Sequence, residues 1–172
     1  MRIVIPGGTG KVGTVLARHF HSAGHLVTVL SRNPSPALWR TPLWDAQQIG
    51  PWVEDLNGAD VVINLTGRSV DCRYTESNRR EIMSSRVDST RLLGTAIAGL
   101  EHPPQLWINA STATIYRHSL DRNMDDITGE IGGSEPGAPS TWRFSIDVAT
   151  AWERPSSTLP RPAPANSRCA AP

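Results

Sequence analysis

Lysine is almost absent from this 172-residue chain: Lys11 is the only one among 17 basic residues, and the other 16 are Arg. Tyrosine is nearly as scarce, with Tyr74 and Tyr116 alone. The two cysteines, Cys72 and Cys169, are too few and too far apart for a disulfide framework or a metal-ligand set. The five histidines show no metal spacing either; His19 and His21 stand two apart, so on a helix they do not share a face. Opposite charges nearly cancel, at a formal +1, which gives no electrostatic case for nucleic acid or an anionic membrane. No apolar run approaches the ~18 residues of a membrane span. The opening stretch, Met1 to Gly7, is apolar over too few residues for a signal peptide. These absences predict a cytoplasmic protein with no metal, no membrane and no nucleic-acid partner.

What is present suits one globular domain. Hydrophobic residues make up 38% of the chain, with 14 Gly beside them, enough for a sizeable core. Arg2–Ile5 reads as a short buried strand ended by Pro6-Gly7-Gly8. Val12, Val15, Leu16 and Phe20 recur at helical spacing, and Gly24 stops the helix. His25–Leu30 is a second strand, Leu43-Trp44 a short third, Val61–Leu65 a fourth and Leu106–Ala110 a fifth. A helix opened by Pro51 runs to Leu56. A long helix starts near residue 76, with an apolar stripe of Met83, Val87, Thr90, Leu93, Ile97 and Leu100, and Pro103-Pro104 ends it. A last helix runs from about Ser140 to Glu153. The alternation predicts an α/β fold, a doubly wound parallel sheet with helices on both faces. The second, fourth and fifth strands are apolar runs, which predicts burial on both sides.

The segment Gly7-Gly8-Thr9-Gly10-Lys11-Val12-Gly13 lies between the first strand and the first helix. Its early glycines permit a tight turn and close approach of backbone to a pyrophosphate, and the last lets helix and strand pack closely. The helix N-terminus then offers free N–H groups to phosphate oxygens. A Walker A loop does not fit, because Val12 follows Lys11 and Ile5 stands where the first glycine belongs. The end of the second strand selects the cofactor. An acid about 20 residues past the loop would hold the ribose 2′-hydroxyl of NAD. Here Ser31-Arg32 stands there, and no acid follows before Asp45. An Arg fork matches a 2′-phosphate, with Ser31 as a further donor, so NADP(H) is favoured over NAD(H).

GGTGKVG, SRNP, VVINLTGRSVDCRYTESNRREIMSSRVDSTRLL, INASTATIYRH and WRFSIDVATAWE occur in that order. Together they resemble the epimerase-like family of atypical and extended short-chain dehydrogenase/reductases, within the NAD-dependent epimerase/dehydratase superfamily. The likeness runs from Met1 to about Glu153. It implies a Rossmann-like fold with an NADP(H) site. Gly7, Gly8, Thr9, Gly10, Lys11, Val12 and Gly13 would form the phosphate loop, and Ser31 and Arg32 the 2′-phosphate contact. Asp45 would lie near the adenine, Leu65, Thr66 and Gly67 along the cofactor ribose, and Ala110 and Ser111 beside the nicotinamide. Arg86, standing where extended reductases commonly have Asn, joins this cofactor set. Thr112 matches the hydroxyl that binds and polarises a small-molecule substrate.

The resemblance also implies a Tyr-x-x-x-Lys pair, which this chain lacks. Asn78 and Leu120 stand four beyond its two tyrosines, and Phe144 and Val148 occupy the pattern positions of the pair. Thr112, Tyr116 and Arg86 remain as candidates for handling a proton, with Thr112 and Tyr116 the catalytic candidates. Arg79, Arg80 and Arg91 read as a solvated helix face, Asp121, Asp125 and Asp126 as loop caps, and Trp142 as a possible wall of the active site. The reading is therefore the NADP(H)-binding domain of an epimerase-like oxidoreductase of unknown substrate, expected to be inactive where Tyr-x-x-x-Lys and the substrate lobe are absent. The alternatives are a non-catalytic NADP(H)-binding sensor or interaction module, or a non-functional fragment.

From Arg154 on, five Pro, three Arg and no acid replace the family-like pattern. Residues 1–153 are thus expected to form an incomplete cofactor-binding domain, with 154–172 a disordered tail. Members of the family continue into further strands and a substrate lobe. A truncated or frameshifted gene would account for their replacement, and would leave the fifth strand with an unpaired edge, exposed apolar surface and a tendency to aggregate.

Overall fold

The computed structural model describes residues 1–125 and 127–158, so Asp126 and the tail beyond Thr158 lie outside the described residues. Four parallel strands form the sheet: β1 (Arg2–Pro6), β2 (Leu26–Leu30), β3 (Val61–Asn64) and β4 (Leu106–Asn109), in spatial order β2-β1-β3-β4. Helix α1 (Lys11–Ser22) links β1 to β2, α2 (Val53–Leu56) precedes β3, and α3 (Glu76–Ala98) links β3 to β4. A 3-10 turn (Ala113–Ile115) and α4 (Ser140–Thr158) follow. No described helix is long and apolar enough to cross a membrane.

Strand alternation divides the core between the two faces of the sheet. On one face Val4, Leu30 and Val62 pack with Trp44, Trp52 and Leu56 and with Leu93, Ala96 and Ile97 of α3. On the other, Ile3, Ile5, Val27, Val29 and Ile63 meet Ala17, Leu16 and Phe20 of α1. Helices thus cover both faces, a Rossmann-like arrangement. A satellite cluster of Ile115, Ile146 and Ala149, with Tyr116 and Trp142, sits under the segment before α4.

Several sequence expectations need correction. The expected third strand at Leu43-Trp44 is not a strand: isolated bridges join Thr28 to Arg40 and Ser31 to Leu43 along the β2 edge. Pro42 has no N–H and interrupts the ladder there. Val12 and Val15 do not face the core; they are 64% and 65% exposed, and Gly13 and Ala17 are the buried residues of α1. Close contact at Gly13 sets that face. In α3, Val87, Thr90, Leu93 and Ile97 of the expected stripe are buried, and its N-terminal end differs: Ile82 is 1% exposed while Met83 is half-buried. β4 is not buried on both sides: Leu106 and Ile108 are 50% and 43% exposed on the sheet edge. That matches the expectation of an open edge. Helix α4 runs to Thr158, past the expected boundary at Glu153.

Candidate cofactor-binding site

The carboxyl ends of all four strands lie along one edge of the sheet, where open α/β folds bind ligands. The Gly7–Gly10 loop leaves β1, Ser31-Arg32 leaves β2, Leu65–Gly67 leaves β3 and Ala110–Thr112 leaves β4. The topology therefore gathers these residues along one line, with the glycine loop near its middle.

The glycines of that loop do different work. Gly7 has φ +72°, and a Cβ on it would stand 2.8 Å from the Thr66 Cα, so both torsion and space demand glycine. Its N–H donates to the Leu30 carbonyl at 3.0 Å, tying the loop to β2. A Cβ on Gly13 would meet the Gly8 Cα and O at 2.4 Å, which is how closely α1 approaches the loop. Gly8 faces Ile5 in the same way, at 2.9 Å. Gly10, by contrast, has nothing within 4 Å of a Cβ. It is the N-cap of α1, with no side-chain cap and no acid in the first turn. The first N–H groups of α1 thus point at open space, flanked by exposed Thr9, Lys11 and Val12. This cradle fits a dinucleotide pyrophosphate.

At the end of β2, Ser31 is 6% exposed and its Oγ accepts the Asn33 N–H at 3.2 Å, shaping the turn. Arg32 is exposed and has no ion pair or hydrogen bond among the described residues. A cleft of about 340 Å³ runs from Gly8 and Thr9 past Thr14 and Arg18 to Leu38 and Trp39. Sequence reading missed Arg18. The signal was its place one turn after Thr14 on the helix that the glycine loop opens. Asp45 is exposed and accepts N–H bonds from Gln47 at 2.8 Å and Gln48 at 3.1 Å. Those two bonds hold its carboxyl below the usual carboxylate range.

Beyond β3 and β4 lies a buried polar network. Asn64 and Asn109 end their strands in register. The Asn64 Nδ2 donates to Asn109 Oδ1 at 2.7 Å and to Thr90 Oγ1 at 3.0 Å. Asn64 Oδ1 accepts the Thr66 N–H at 3.0 Å, and Trp152 Nε1 donates to Thr90 Oγ1 at 3.1 Å. One amide therefore connects α3, α4, both strand ends and the Leu65–Thr66 turn. The Thr66 hydroxyl in that turn is buried and has no protein partner. A cofactor ribose along Leu65–Gly67 would find an unsatisfied hydroxyl there, which fits a ligand.

The Ser111 hydroxyl is bonded to the Glu153 carboxylate of α4. Ala110 donates its N–H to the Asn64 carbonyl at 3.0 Å. Thr112 caps the 3-10 turn, its Oγ1 accepting the Thr114 N–H at 3.3 Å and lying 3.0 Å from Thr114 Oγ1. Tyr116 packs in the satellite cluster and lines a cavity of about 570 Å³ with Thr114, Arg117, His118, Arg122 and Trp142. Trp142 is fixed there by an Nε1 bond to the Thr114 carbonyl at 2.9 Å. On α4, Val148 is 6% exposed. The Phe144 ring lies 5.7 Å from that of Tyr74, with the Arg79 guanidinium 4.7 Å from its centre. Neither Phe144 nor Val148 can exchange a proton. Arg86, on α3, lies against Gly67. Burial pushes its guanidinium below the ordinary value, with the Tyr74 phenol acting the other way.

Comparison with known proteins agrees with this geometry. Residues 3–139 match the NAD dependent epimerase/dehydratase family. Epimerase family protein SDR39U1 of Mus musculus is 33% identical over 156 residues, which cover 89% of this chain and 48% of that protein. Epimerase family protein YfhF of Bacillus subtilis is 32% identical over 157 residues, covering 90% of this chain and 48% of that one. The crystal structure of human SDR39U1 (isoform2) with NADPH superposes with a TM-score of 0.72 at 30% identity, over 93% of this chain and 50% of that one. The chain spans about half the length of the curated relatives it matches. It belongs to the NAD dependent epimerase/dehydratase family.

Proposed function

We propose that this chain binds NADP(H) in preference to NAD(H), as the cofactor-binding part of an oxidoreductase acting on an unidentified small molecule. Arg32 carries the reading: a free, exposed guanidinium at the end of β2, with no acid at the position that would hold a 2′-hydroxyl. The NADPH in the human relative supports it. Gly7, Gly8, Gly10 and Gly13 would hold the pyrophosphate against the α1 N-terminus, with Thr9, Lys11 and Val12 beside it. Ser31 and Arg32 would hold the 2′-phosphate, and Asp45 would stand near the adenine. Leu65, Thr66, Gly67, Ala110 and Ser111 would flank the nicotinamide half. The bound dinucleotide supplies hydride chemistry, and this chain positions it. Thr112 and Tyr116, which follow the β4 end, are the proposed substrate contacts. Fluorescence titration with NADPH and NADH tests the reading. Arg32→Ala is expected to weaken NADPH about tenfold or more and leave NADH nearly unchanged. Equal affinity for both cofactors in the unaltered chain would refute the preference.

A second reading is favoured by Phe144 and Val148. Without Tyr-x-x-x-Lys, the chain would act as a non-catalytic NADP(H) sensor or interaction module. NADPH binding without turnover of any carbonyl or nucleotide-sugar substrate would support that alternative.

A further inference from the structure

The cavity of about 570 Å³ that Tyr116 lines carries two arginines, Arg117 and Arg122, and among the described residues that form its wall there is no acid. Local pairing builds this cationic side. Tyr116 and Ile131 form an antiparallel bridge, and the Arg117 N–H donates to the Glu130 carbonyl at 2.8 Å. Glu130 is thereby set beside Arg117. Its Oε2 accepts from Arg117 Nε and its Oε1 from Arg122 Nη2, each at 2.5 Å. Two guanidiniums thus share one carboxylate, and the trio keeps a positive charge. Arg117 Nη1 also donates to the His118 carbonyl at 3.3 Å, and Arg122 Nη2 to the Thr128 carbonyl at 3.2 Å. Arg117 Nη2 and Arg122 Nε and Nη1 have no partner among the described residues. Two acids stand nearby but do not line the cavity. The Asp121 carboxyl is held below the usual range first by the Ser119 hydroxyl and in lesser part by Arg117 and Arg122. Asp125 Oδ1 is taken by the Ile127 and Thr128 N–H groups. Half-buried guanidiniums, 29% and 39% exposed, with spare N–H groups facing no acid, suit an oxyanion.

The cavity also reaches the proposed substrate contacts. Thr114 lines it, the Thr114 hydroxyl lies 3.0 Å from that of Thr112, and Thr112 follows β4. The pyrophosphate of a dinucleotide would belong two strands away, on the glycine loop after β1, so the cofactor does not supply the anion. Resting on the oxidoreductase reading above, we propose that this cavity selects a substrate bearing an oxyanion group, a carboxylate or a phosphate, and that Arg117 and Arg122 bind that group. The body of the substrate would lie against the Tyr116 and Trp142 rings, with its reacting carbon toward Thr112. Because Glu130 already holds both guanidiniums, little side-chain freedom is lost when the ligand arrives. The substrate class is then a small acid rather than a neutral alcohol or ketone.

Three probes of one shape test this without turnover. Benzoate and phenyl phosphate carry the anion, and benzamide is the neutral counterpart. Each is titrated into the full chain near neutral pH. The indole N–H resonance of Trp142, assigned with Trp142→Phe, reports binding in the cavity itself. Both anions are expected to shift it and to bind about tenfold or more tighter than benzamide. The tighter of the two identifies the group that the substrate carries. Arg117→Met and Arg122→Met should each weaken the anions about tenfold and leave benzamide within about twofold, with Arg122→Lys falling between. An unchanged thermal midpoint shows that each variant is folded. Benzamide binding as tightly as the anions overturns the proposal, and so does anion affinity unmoved in both Met variants. Equal loss of all three probes would make the arginines struts of the loop and overturn it too. Anion binding by a chain that fails to bind NADPH would uphold the cationic site and refute the oxidoreductase reading instead.

Discussion

Gly13→Ala separates a structural glycine from a permissive one. In an ordinary helix interior, Gly→Ala stabilises by about 1 kcal/mol. Here the new Cβ would stand 2.4 Å from both the Cα and O of Gly8. A normal contact needs ~3.5 Å or more, so α1 or the loop must shift by about 1 Å. Gly8 has little freedom to yield: its N–H is held by the Ile5 carbonyl at 3.1 Å, and it is itself packed on Ile5. Overpacking of this kind costs about 1–3 kcal/mol. Against the propensity gain, the net loss is about 1 kcal/mol, a Tm decrease of about 3 °C for a domain of this size. Cofactor binding should suffer more. A shift of about 1 Å takes N–H···O bonds out of their ~2.7–3.2 Å range, and losing two charge-assisted bonds weakens NADPH about 100-fold. Gly10→Ala is the comparison, since its Cβ meets nothing within 4 Å. It should leave Tm within about 3 °C but still weaken NADPH, because the methyl enters the space proposed for the pyrophosphate. Thermal melts and NADPH titrations of both variants decide the matter. A Gly13→Ala chain that melts higher and binds NADPH as well as the unaltered one would show that α1 is not clamped to the loop.

Asn64→Ala removes the hub of the buried network and orphans the Thr66 N–H, leaving the Asn109 amide oxygen with the Thr90 hydroxyl at 3.3 Å, at a cost of about 2 kcal/mol. Urea denaturation checks it, and a loss below about 1 kcal/mol would show that water replaces the amide readily. Ile108→Lys places a charge on the exposed edge at β4 and should change stability by less than about 0.5 kcal/mol while reducing light scattering at high concentration. Scattering that does not fall would mean that association uses another surface.

The parts of this molecule that were legible in the sequence are those whose cause is local. Strands β1, β2, β3 and β4 are short β-branched or apolar runs with turn residues at their ends, and each was placed to within about one residue. The glycine loop was legible because close approach and positive φ can be met only by glycine. The face of α1 was not, because Val12 and Val15 satisfy the helical period as well as Leu16 and Ala17 do. The contact of Gly13 with Gly8 settles which face turns inward, and that contact carries no periodic signal. The polar network was hidden for a different reason. Its bonds join residues far apart in the chain, Asn64 to Asn109 and Thr90 to Trp152. The trace it left was that VVIN and LWIN both close on asparagine, which only the register of β3 with β4 turns into a contact.

The chemistry present on this half of the family fold is uneven. The groups proposed to hold a dinucleotide are the glycine cradle, Arg32 and the Leu65–Thr66 turn. Groups suited to moving a proton are scarce. The α4 positions of the missing pair are Phe144 and Val148, the Ser111 hydroxyl is taken by Glu153, and Arg86 keeps its proton. Thr112 has an intrinsically weak acid and is engaged in capping a turn. Tyr116 carries a hydroxyl that can exchange a proton, but its ring is packed with Trp142 and Ile146 beneath the segment before α4. Turnover by this chain would therefore draw its proton from Tyr116, through the cavity it lines, or from water. Tyr116→Phe distinguishes the two. A chain that turns over substrate with Tyr116 as acid loses that activity on removal of the hydroxyl while NADPH affinity is unchanged, because the phenol lies outside the proposed cofactor contacts.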